Sequence, residues 1–151
     1  MGLAIDERGI LMSCPACGTR NRVPFGADAN CGQCHTRLPA PSEPVDVSSA
    51  TAFDALVARS RLPIVVDFWA PWCGPCRTVA PEIARVAAAH SGQWLVVKVN
   101  TEALPDLGAR FGIQSIPTMA VFEGGRERTR TMGARPASEI ETFVQQALAG
   151  R

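Results

Sequence analysis

The sequence predicts an α/β fold, a central mixed sheet flanked by helices, with a small cysteine-rich module in front of it. From Val45 onward, apolar residues recur alternately at strand and at helix spacing, in the order βαβαβαββα, which favours helices on both faces of the sheet. Residues 13–38 carry four cysteines and few large apolar side chains, and residues 39–44 contain three prolines. We therefore expect a disordered extension at 1–12, the module at 13–38, a linker at 39–44 and the α/β domain at 45–151.

The elements of the α/β domain follow from apolar spacing and from capping residues. Ser49 or Thr51 can cap the first helix, and Ser138 with Glu141 forms a capping box that opens the last one. Gly124-Gly125 provides the turn of a hairpin. We expect strands at 45–47, 64–70, 94–99, 118–123 and 126–132, and helices at 49–60, 76–90, 105–111 and from 138 onward.

The composition argues against a protein that binds nucleic acid or spans a membrane. The 151 residues suit one domain with a small appendage, and 46% hydrophobic residues suit a globular chain. A net charge of +1 gives no electrostatic case for nucleic acid or an anionic membrane as a partner. No apolar run reaches the roughly 18 residues of a spanning helix, and charges at 6–8 interrupt any signal-peptide core. We expect a cytoplasmic protein, and the sequence leaves both Met1 and Met12 open as its start.

Six cysteines fall into three Cys-x-x-Cys pairs, which in a chain without an export signal indicate redox chemistry or metal ligands. Cys73 and Cys76 lie where a buried strand passes into a helix, and Pro75 sets a helical φ between them. Unpaired N–H groups at a helix N-terminus favour a thiolate, so we expect Cys73 to be an accessible thiol of low pKa and Cys76 to be less exposed. That arrangement suits thiol–disulfide exchange, with a zinc pair or an inert couple as the alternative.

Asp67 stands in the middle of an apolar strand, Val65-Val-Asp-Phe-Trp69. Burial would raise the pKa of its carboxyl group, which could then accept a proton from Cys76. The sequence leaves a second interpretation equally open, a structural acid paired with Lys98 on a neighbouring strand.

Pro117 opens a strand, a position where proline is allowed. A cis bond between Ile116 and Pro117 would hold a tight turn there. It would also leave the amide and carbonyl of Ile116 free to pair with an extended substrate.

Four thiols lie within 21 residues in the remaining pairs, Cys14, Cys17, Cys31 and Cys34. Each Cys-x-x-Cys turn can present two sulfurs to one ion, and two turns complete the tetrahedron of a structural zinc site. Because residues 13–38 are too poor in apolar side chains for a core of their own, bound metal would supply folding free energy. We expect one zinc ion, with redox-active disulfides as the alternative. His35 could replace one thiolate, but four thiolates need no fifth ligand.

Taken together, these residues resemble thioredoxin. The string Asp67-Phe-Trp-Ala-Pro-Trp-Cys-Gly-Pro-Cys76 is the most specific part, and the likeness runs from about Val45 to Leu148. Further matching residues are Pro81, Val97-Lys-Val-Asn100, Phe111-Gly-Ile-Gln-Ser-Ile-Pro-Thr118 and Gly124-Gly125. The N-terminal cysteine pairs, with Asn21-Arg-Val-Pro24 and Val99-Asn-Thr-Glu102, are similar to the zinc-containing bacterial thioredoxin-2 type.

The resemblance implies a thioredoxin fold and a role for each matching residue. Cys73 would be the nucleophile and Cys76 the resolving thiol, with Asp67 and Lys98 as the buried acid and its neighbour. Trp69 would lie beside the dithiol. The surface that receives substrates would consist of Trp72, Gly74, Pro75, Ile116, a cis Pro117 and Gly133.

The implied function is that of a protein-disulfide reductase with a zinc-binding N-terminal module. Its partners would be disulfide-containing client proteins and a thioredoxin reductase, without nucleic acid or membrane. We expect a monomer with one structural zinc ion and no bound organic cofactor. Two alternatives stay open: a disulfide isomerase or oxidase, and a zinc-ribbon interaction module with the thioredoxin domain as scaffold. Residues 1–45 hold four Arg against four acidic residues, so the basic footprint of a nucleic-acid-binding ribbon is missing.

Overall fold

The structure, a computed structural model, describes residues 3–26 and 28–150. The strands are β1 (Ala4–Asp6), β2 (Gly9–Ser13), β3 (Arg20–Val23), β4 (Ala29–Asn30), β5 (Arg37–Leu38), β6 (Val45–Val47), β7 (Ile64–Trp69), β8 (Leu95–Asn100), β9 (Thr118–Glu123) and β10 (Arg126–Met132). The helices are α1 (Ala50–Arg59), α2 (Gly74–Ala89), α3 (Pro105–Arg110) and α4 (Ala137–Ala149). From Val45 onward this is the predicted βαβαβαββα order, with element ends that differ by a few residues.

One mixed sheet organises the molecule. Its strand order is β10-β9-β7-β8-β6-β1-β2-β3, and β4 and β5 form a separate two-stranded sheet. Strands β6, β8 and β7 are parallel, whereas β9 pairs antiparallel with β7. Val66 packs with α1 and α3 in one core, and its neighbour Val65 packs with α2 and α4 in the other. Since successive strand residues point to opposite faces, helices cover both sides of the sheet.

The first residues of the chain are ordered as strands, contrary to the extension expected at 1–12. Strands β1 and β2 form an antiparallel hairpin, and β1 adds to the sheet by pairing parallel with β6. Asp6 Oδ1 accepts the N–H groups of Arg8 and Gly9 in the hairpin turn, at 2.9 and 3.1 Å. Ile5 and Ile10 are buried. Burial of these apolar side chains is the physical reason for the order; residues 1–2 lie outside the described part.

The cysteine-rich segment, residues 13–38, shares the core of the α/β domain in the part that the structure describes. Its large apolar side chains Val23, Phe25 and Leu38 are buried in the same core as Phe53 and Leu56 of α1. The backbone makes a further link, since Arg61 N–H donates to the carbonyl of Phe25 at 3.4 Å. The segment therefore packs as an extension of the α/β domain, joined to it by β1.

The two predicted helix caps differ in outcome. Ser49 caps α1 as predicted, because its hydroxyl accepts the N–H of Ala52 at 3.0 Å. The predicted capping box at Ser138 is wrong. Helix α4 begins at Ala137, its N-cap residue is Pro136, and that residue makes no side-chain hydrogen bond to the helix. Instead, Glu82 Oε1 accepts the N–H of Ala137 at 3.0 Å, so a carboxylate from α2 satisfies the first turn of α4.

In the described part of the chain, no helix has both the length and the apolar character that crossing a membrane requires.

Candidate functional site

Cys73 is the N-cap of α2 and begins the helix with its own sulfur. Its Sγ accepts the N–H of Cys76 at 3.2 Å, and its N–H donates to the carbonyl of Ala70 at 3.2 Å. Pro75 occupies the first turn, where no N–H donor is needed. The sulfurs of Cys73 and Cys76 are bonded to each other, with 5.2 Å between the Cα atoms. In the reduced protein, the first-turn N–H groups and the helix dipole would favour a thiolate at Cys73.

The exposure expected of the two cysteines is not observed. Cys73 is 3% exposed and Cys76 is 4% exposed, so neither sulfur is the accessible one while they are bonded. Ala70, with Trp69 and Ile116 packed around it, shares their small apolar cluster. What distinguishes the two sulfurs in this structure is that Cys73 Sγ accepts a hydrogen bond at the helix N-terminus.

The loop before β9 faces Cys73. The Ile116–Pro117 peptide bond is cis, as the resemblance implies. The carbonyl oxygen of Ile116 lies 3.8 Å from Cys73 Sγ. Pro117 is held from the other side, because its carbonyl accepts the N–H of Gly133 at 2.9 Å. The fold thereby brings residues 116, 117 and 133 beside the dithiol.

An exposed apolar surface surrounds Cys73 and the cis Ile116–Pro117 bond. Trp72 is 67% exposed and Met132 is 63% exposed, and these are the large hydrophobic side chains that the described chain leaves to solvent. Gly74, Pro75 and Gly133 are exposed as well. Met132 was not among the predicted site residues; the available signal was one apolar residue ending the otherwise polar strand 126–132.

Asp67 lies in the middle of β7, the strand that leads to Cys73, and it is 1% exposed. Burial raises the pKa of its carboxyl group to about 7, and the charge of Lys98 opposes that shift. Among the described residues, its Oδ1 and the nearby Trp69 Nε1 have no hydrogen-bond partner. Lys98 is the register partner of Asp67 on β8, but its ammonium lies over the ring of Trp69, 4.3 Å from the centroid.

The four N-terminal cysteines converge on one point. Their sulfurs all lie within 4.8 Å of one another. The Sγ atoms of Cys14 and Cys34 are 3.6 Å apart, and those of Cys17 and Cys31 are 3.7 Å apart. Tetrahedral zinc with Zn–S bonds of about 2.3 Å would require sulfurs about 3.8 Å apart, so this donor set fits the ion.

The two Cys-x-x-Cys turns are copies of one structure. We call residues 14–19 the first knuckle and residues 31–36 the second; both match Cys-x-x-Cys-x-Thr, 17 residues apart. In each, the first cysteine's carbonyl accepts the N–H of the fifth residue, at 2.8 and 2.9 Å. Gly18 and His35 occupy that fifth position with φ of 78° and 65°. His35 thus shapes the turn, and the cluster of possible ligand atoms does not include it.

Thr19 and Thr36 were not predicted, and their hydroxyls lie 3.2 and 3.3 Å from the sulfurs of Cys17 and Cys34. The repeated Cys-x-x-Cys-x-Thr pattern was the signal that could have identified them. In the second knuckle, N–H donation lowers the pKa of Cys31 to about 6, with the amide of Cys34 contributing most and the side chain of Asn21 next. A thiolate at neutral pH is the form that binds metal.

The four-cysteine cluster and the Cys73–Cys76 pair lie at opposite ends of the strands. Cys73 follows the carboxyl end of β7, which is parallel to β8, β6 and β1. Cys14 follows the carboxyl end of β2, which runs antiparallel to β1. The linker is attached at that far end too, since Ser91 Oγ donates to the carbonyl of Ala40 at 3.2 Å. The four cysteines of the N-terminal cluster therefore lie at the end of the sheet away from Cys73.

Comparisons with known proteins agree with this architecture. The family model described as Thioredoxin matches residues 44–146. Thioredoxin C-3 of Corynebacterium nephridii is 37% identical over 142 residues, 92% of this chain and 96% of the relative, so its similarity reaches into the cysteine-rich segment. Thioredoxin 1 of Chlorobaculum tepidum is 43% identical over 99 residues, 66% of this chain and 98% of the relative.

Solved structures share the fold. Plasmodium falciparum thioredoxin has a TM-score of 0.61 at 25% identity, covering 67% of this chain and 96% of that one. A mutant thioredoxin from Halobacterium salinarum has a TM-score of 0.65 at 23% identity, covering 72% and 93%. With a family model matching 44–146 and relatives of this similarity, the chain belongs to the thioredoxin family of protein-disulfide oxidoreductases.

Proposed function

We propose that this protein reduces disulfide bonds in other proteins through Cys73 and Cys76. The observation that carries the proposal is Cys73 at the N-terminus of α2, with its sulfur 3.2 Å from the N–H of Cys76 and facing the cis Ile116–Pro117 bond. A thiolate held there is both stabilised and directed toward the loop where a client would bind.

The exchange proceeds in two balanced steps. The Cys73 thiolate attacks one sulfur of the client disulfide, which forms a mixed disulfide and releases one client thiolate. Cys76, as a thiolate, then attacks Cys73 Sγ and releases the second client thiolate. Two electrons pass from the dithiol to the client, each client thiolate takes up a proton, and the protein is left with the Cys73–Cys76 disulfide.

Asp67 is the proposed acceptor of the Cys76 proton. A carboxyl group whose pKa is raised to about 7 by burial can gain and lose a proton near neutral pH. Its Oδ1 has no hydrogen-bond partner among the described residues, which leaves it free for this role. Lys98 has a positioning role, because its positive charge opposes the rise in the Asp67 pKa.

Clients would dock on the exposed surface around the dithiol. The exposed side chain of Trp72 and the half-buried one of Ile116 offer apolar contact, and the backbone of Ile116 can pair with an extended client segment. The proposed docking residues are Trp72, Gly74, Pro75, Ile116, Pro117 and Gly133.

The second part of the proposal is one structural zinc ion held by four thiolates, those of Cys14, Cys17, Cys31 and Cys34. Zinc would supply folding free energy to a segment whose few large apolar side chains pack in the main core instead of forming a core of their own. No organic cofactor is needed, and a thioredoxin reductase would restore the dithiol. This protein itself would act as a monomer in the cytoplasm, without nucleic acid or membrane as a partner.

An insulin-reduction assay with NADPH and a thioredoxin reductase tests the proposal. We expect NADPH consumption that depends on this protein and is lost in the Cys73→Ser variant. Arg77→Gln, an exposed neighbour on the same helix, is the matched control and should retain activity. Oxidation of a reduced client without net NADPH use would instead favour an oxidase, and inactivity towards disulfides would favour a scaffold.

A further inference from the structure

Asn21 lies between the two knuckles and bonds to both. Its Nδ2 donates to the carbonyl of Thr19 at 3.0 Å, in the first knuckle, and to Cys31 Sγ at 3.5 Å, in the second. Its Oδ1 accepts the N–H of Gly32 at 3.0 Å. One half-buried side chain thus uses its donors and its acceptor to join the two turns, reaching a cysteine ten residues further along the sequence.

The chemistry of the partners fixes which way the amide points. The carbonyl oxygen of Thr19 can only accept, and the N–H of Gly32 can only donate. Nδ2 must therefore face Thr19, and the same NH₂ group reaches the sulfur of Cys31. The Thr19 carbonyl also accepts the N–H of Cys14 at 2.8 Å, so the bond network runs from one ligand residue to another.

The knuckle geometry itself does not require this asparagine. The repeat that aligns Cys14 with Cys31 aligns Asn21 with Leu38, a buried apolar residue of the main core. The second knuckle forms the same turn, with His35 N–H donating to Cys31 O at 2.9 Å, without such a side chain. The asparagine therefore breaks the symmetry of the two knuckles and, from its position, bonds to both.

We propose that Asn21 is a positioning residue of the metal site, which holds the two cysteine pairs in register and moderates the donor strength of the Cys31 sulfur. The proposal rests on the zinc site proposed above. Groups that hydrogen-bond to metal ligands typically change metal affinity by 10- to 100-fold when they are replaced. An N–H donated to a thiolate also draws electron density from the sulfur, which leaves a spectroscopic signature in the metal-bound state.

Two variants separate the bonds. Asn21→Leu copies the residue of the second knuckle and removes every bond. Asn21→Asp keeps the shape and the acceptor for Gly32 but removes the donors to Thr19 and Cys31 and adds a negative charge. Asn30→Ala is the matched control, an exposed asparagine next to the second knuckle for which the described residues show no side-chain hydrogen bond.

The experiment uses the full-length protein. Zinc content is measured first, then the zinc dissociation constant by competition with a chromophoric chelator, then the thiolate-to-cobalt charge-transfer band of the Co²⁺ form. We expect Asn21→Leu to weaken zinc at least tenfold, and both Asn21 variants to shift the cobalt band to lower energy, with Asn30→Ala unchanged.

Two results would overturn the assignment, and they are distinguishable. Wild-type protein without zinc would remove the metal site and the role of Asn21 with it. Wild-type protein with zinc, together with an Asn21→Asp variant of unchanged affinity and unchanged cobalt spectrum, would leave the metal site standing and remove the role of Asn21. The isosteric Asp variant also decides the matter if Asn21→Leu fails to fold.

Discussion

Lys98 and Asp67 are register partners on adjacent parallel strands, yet the ammonium of Lys98 lies over the Trp69 ring. Within the described chain the two residues form no ion pair, and the charge of Lys98 only partly offsets the effect of burial on the Asp67 pKa. The ion pair with Lys98 that one of the two sequence interpretations expects is therefore not formed in this structure. An unpaired buried carboxyl group has consequences for stability that can be measured.

Replacing Asp67 by Asn should change stability in a way that depends on pH. Burial raises the folded pKa to about 7, above an unfolded value near 3.9, so ionisation in the folded state costs free energy. That cost is absent below about pH 4, grows between about pH 4 and pH 7, where the unfolded carboxyl group is ionised and the folded one is not, and reaches about 4 kcal/mol above pH 7. The unfolding free energy of Asp67→Asn minus that of wild type should therefore be larger at pH 8 than at pH 4, by about 4 kcal/mol.

Urea unfolding of both proteins at the two pH values makes the comparison. Any packing defect of the new amide is the same at both pH values and cancels in the difference. A stability difference between wild type and Asp67→Asn that does not vary with pH would contradict the raised pKa.

Glu82 should contribute to stability by capping a helix other than its own. Because its carboxylate accepts the N–H of Ala137, Glu82→Ala should cost about 1 kcal/mol of unfolding free energy, the usual cost of a lost N-cap. Ser138→Ala, at the residue favoured by the sequence, should change stability by less than about 0.5 kcal/mol. Arg85→Ala controls for the ion pair between Glu82 and Arg85. A larger loss for Ser138→Ala than for Glu82→Ala would restore the capping box.

This cap shows where sequence reasoning stops. Ser138 and Glu141 satisfy a local signature, and the order of strands and helices from Val45 is predictable because apolar periodicity is local too. Glu82 reaches Ala137 across 55 residues, and Asn21 reaches Cys31 across ten. Neither contact follows from the periodicity of apolar residues, so each becomes known only from the folded structure.

The N-terminal hairpin was missed for a different reason. Apolar residues on either side of Asp6-Glu7-Arg8-Gly9 are a recognisable hairpin pattern, but the strands are short and lie outside the resemblance to thioredoxin. A Cβ at Gly9 would lie 2.2 Å from the carbonyl oxygen of Val23, so only glycine fits where β2 passes β3. That constraint depends on a strand 14 residues away and is invisible in the local sequence.

Metal removal should unfold the cysteine-rich segment first. Protection of amide hydrogens should be lost in β2 to β5 and kept in β7, β8 and β9, with β1 and β6 at the boundary. The reason is that zinc would hold the cysteine-rich segment, whereas the thioredoxin family model covers residues 44–146 without that segment. Hydrogen exchange with and without a strong chelator measures this.

The Cys14→Ser/Cys17→Ser double variant provides the matched control for chelation. It should hold less than one zinc ion per chain and show the same pattern of lost protection. Because Phe25 and Leu38 share a core with Phe53, a fully cooperative domain is the competing outcome. Loss of protection throughout the chain would show that the segment and the domain fold as one unit.

The central claim is that Cys73 attacks the client and Cys76 resolves the intermediate, and trapping tests it most directly. Reduced Cys76→Ser protein is mixed with insulin, and the products are separated under non-reducing conditions and sequenced by mass spectrometry. The account predicts a stable mixed disulfide between Cys73 and insulin, and no adduct in Cys73→Ser, because the remaining Cys76 lies inside α2 and lacks the N-cap position that favours a thiolate at Cys73. An adduct at Cys76 in Cys73→Ser, with none at Cys73 in Cys76→Ser, would contradict it.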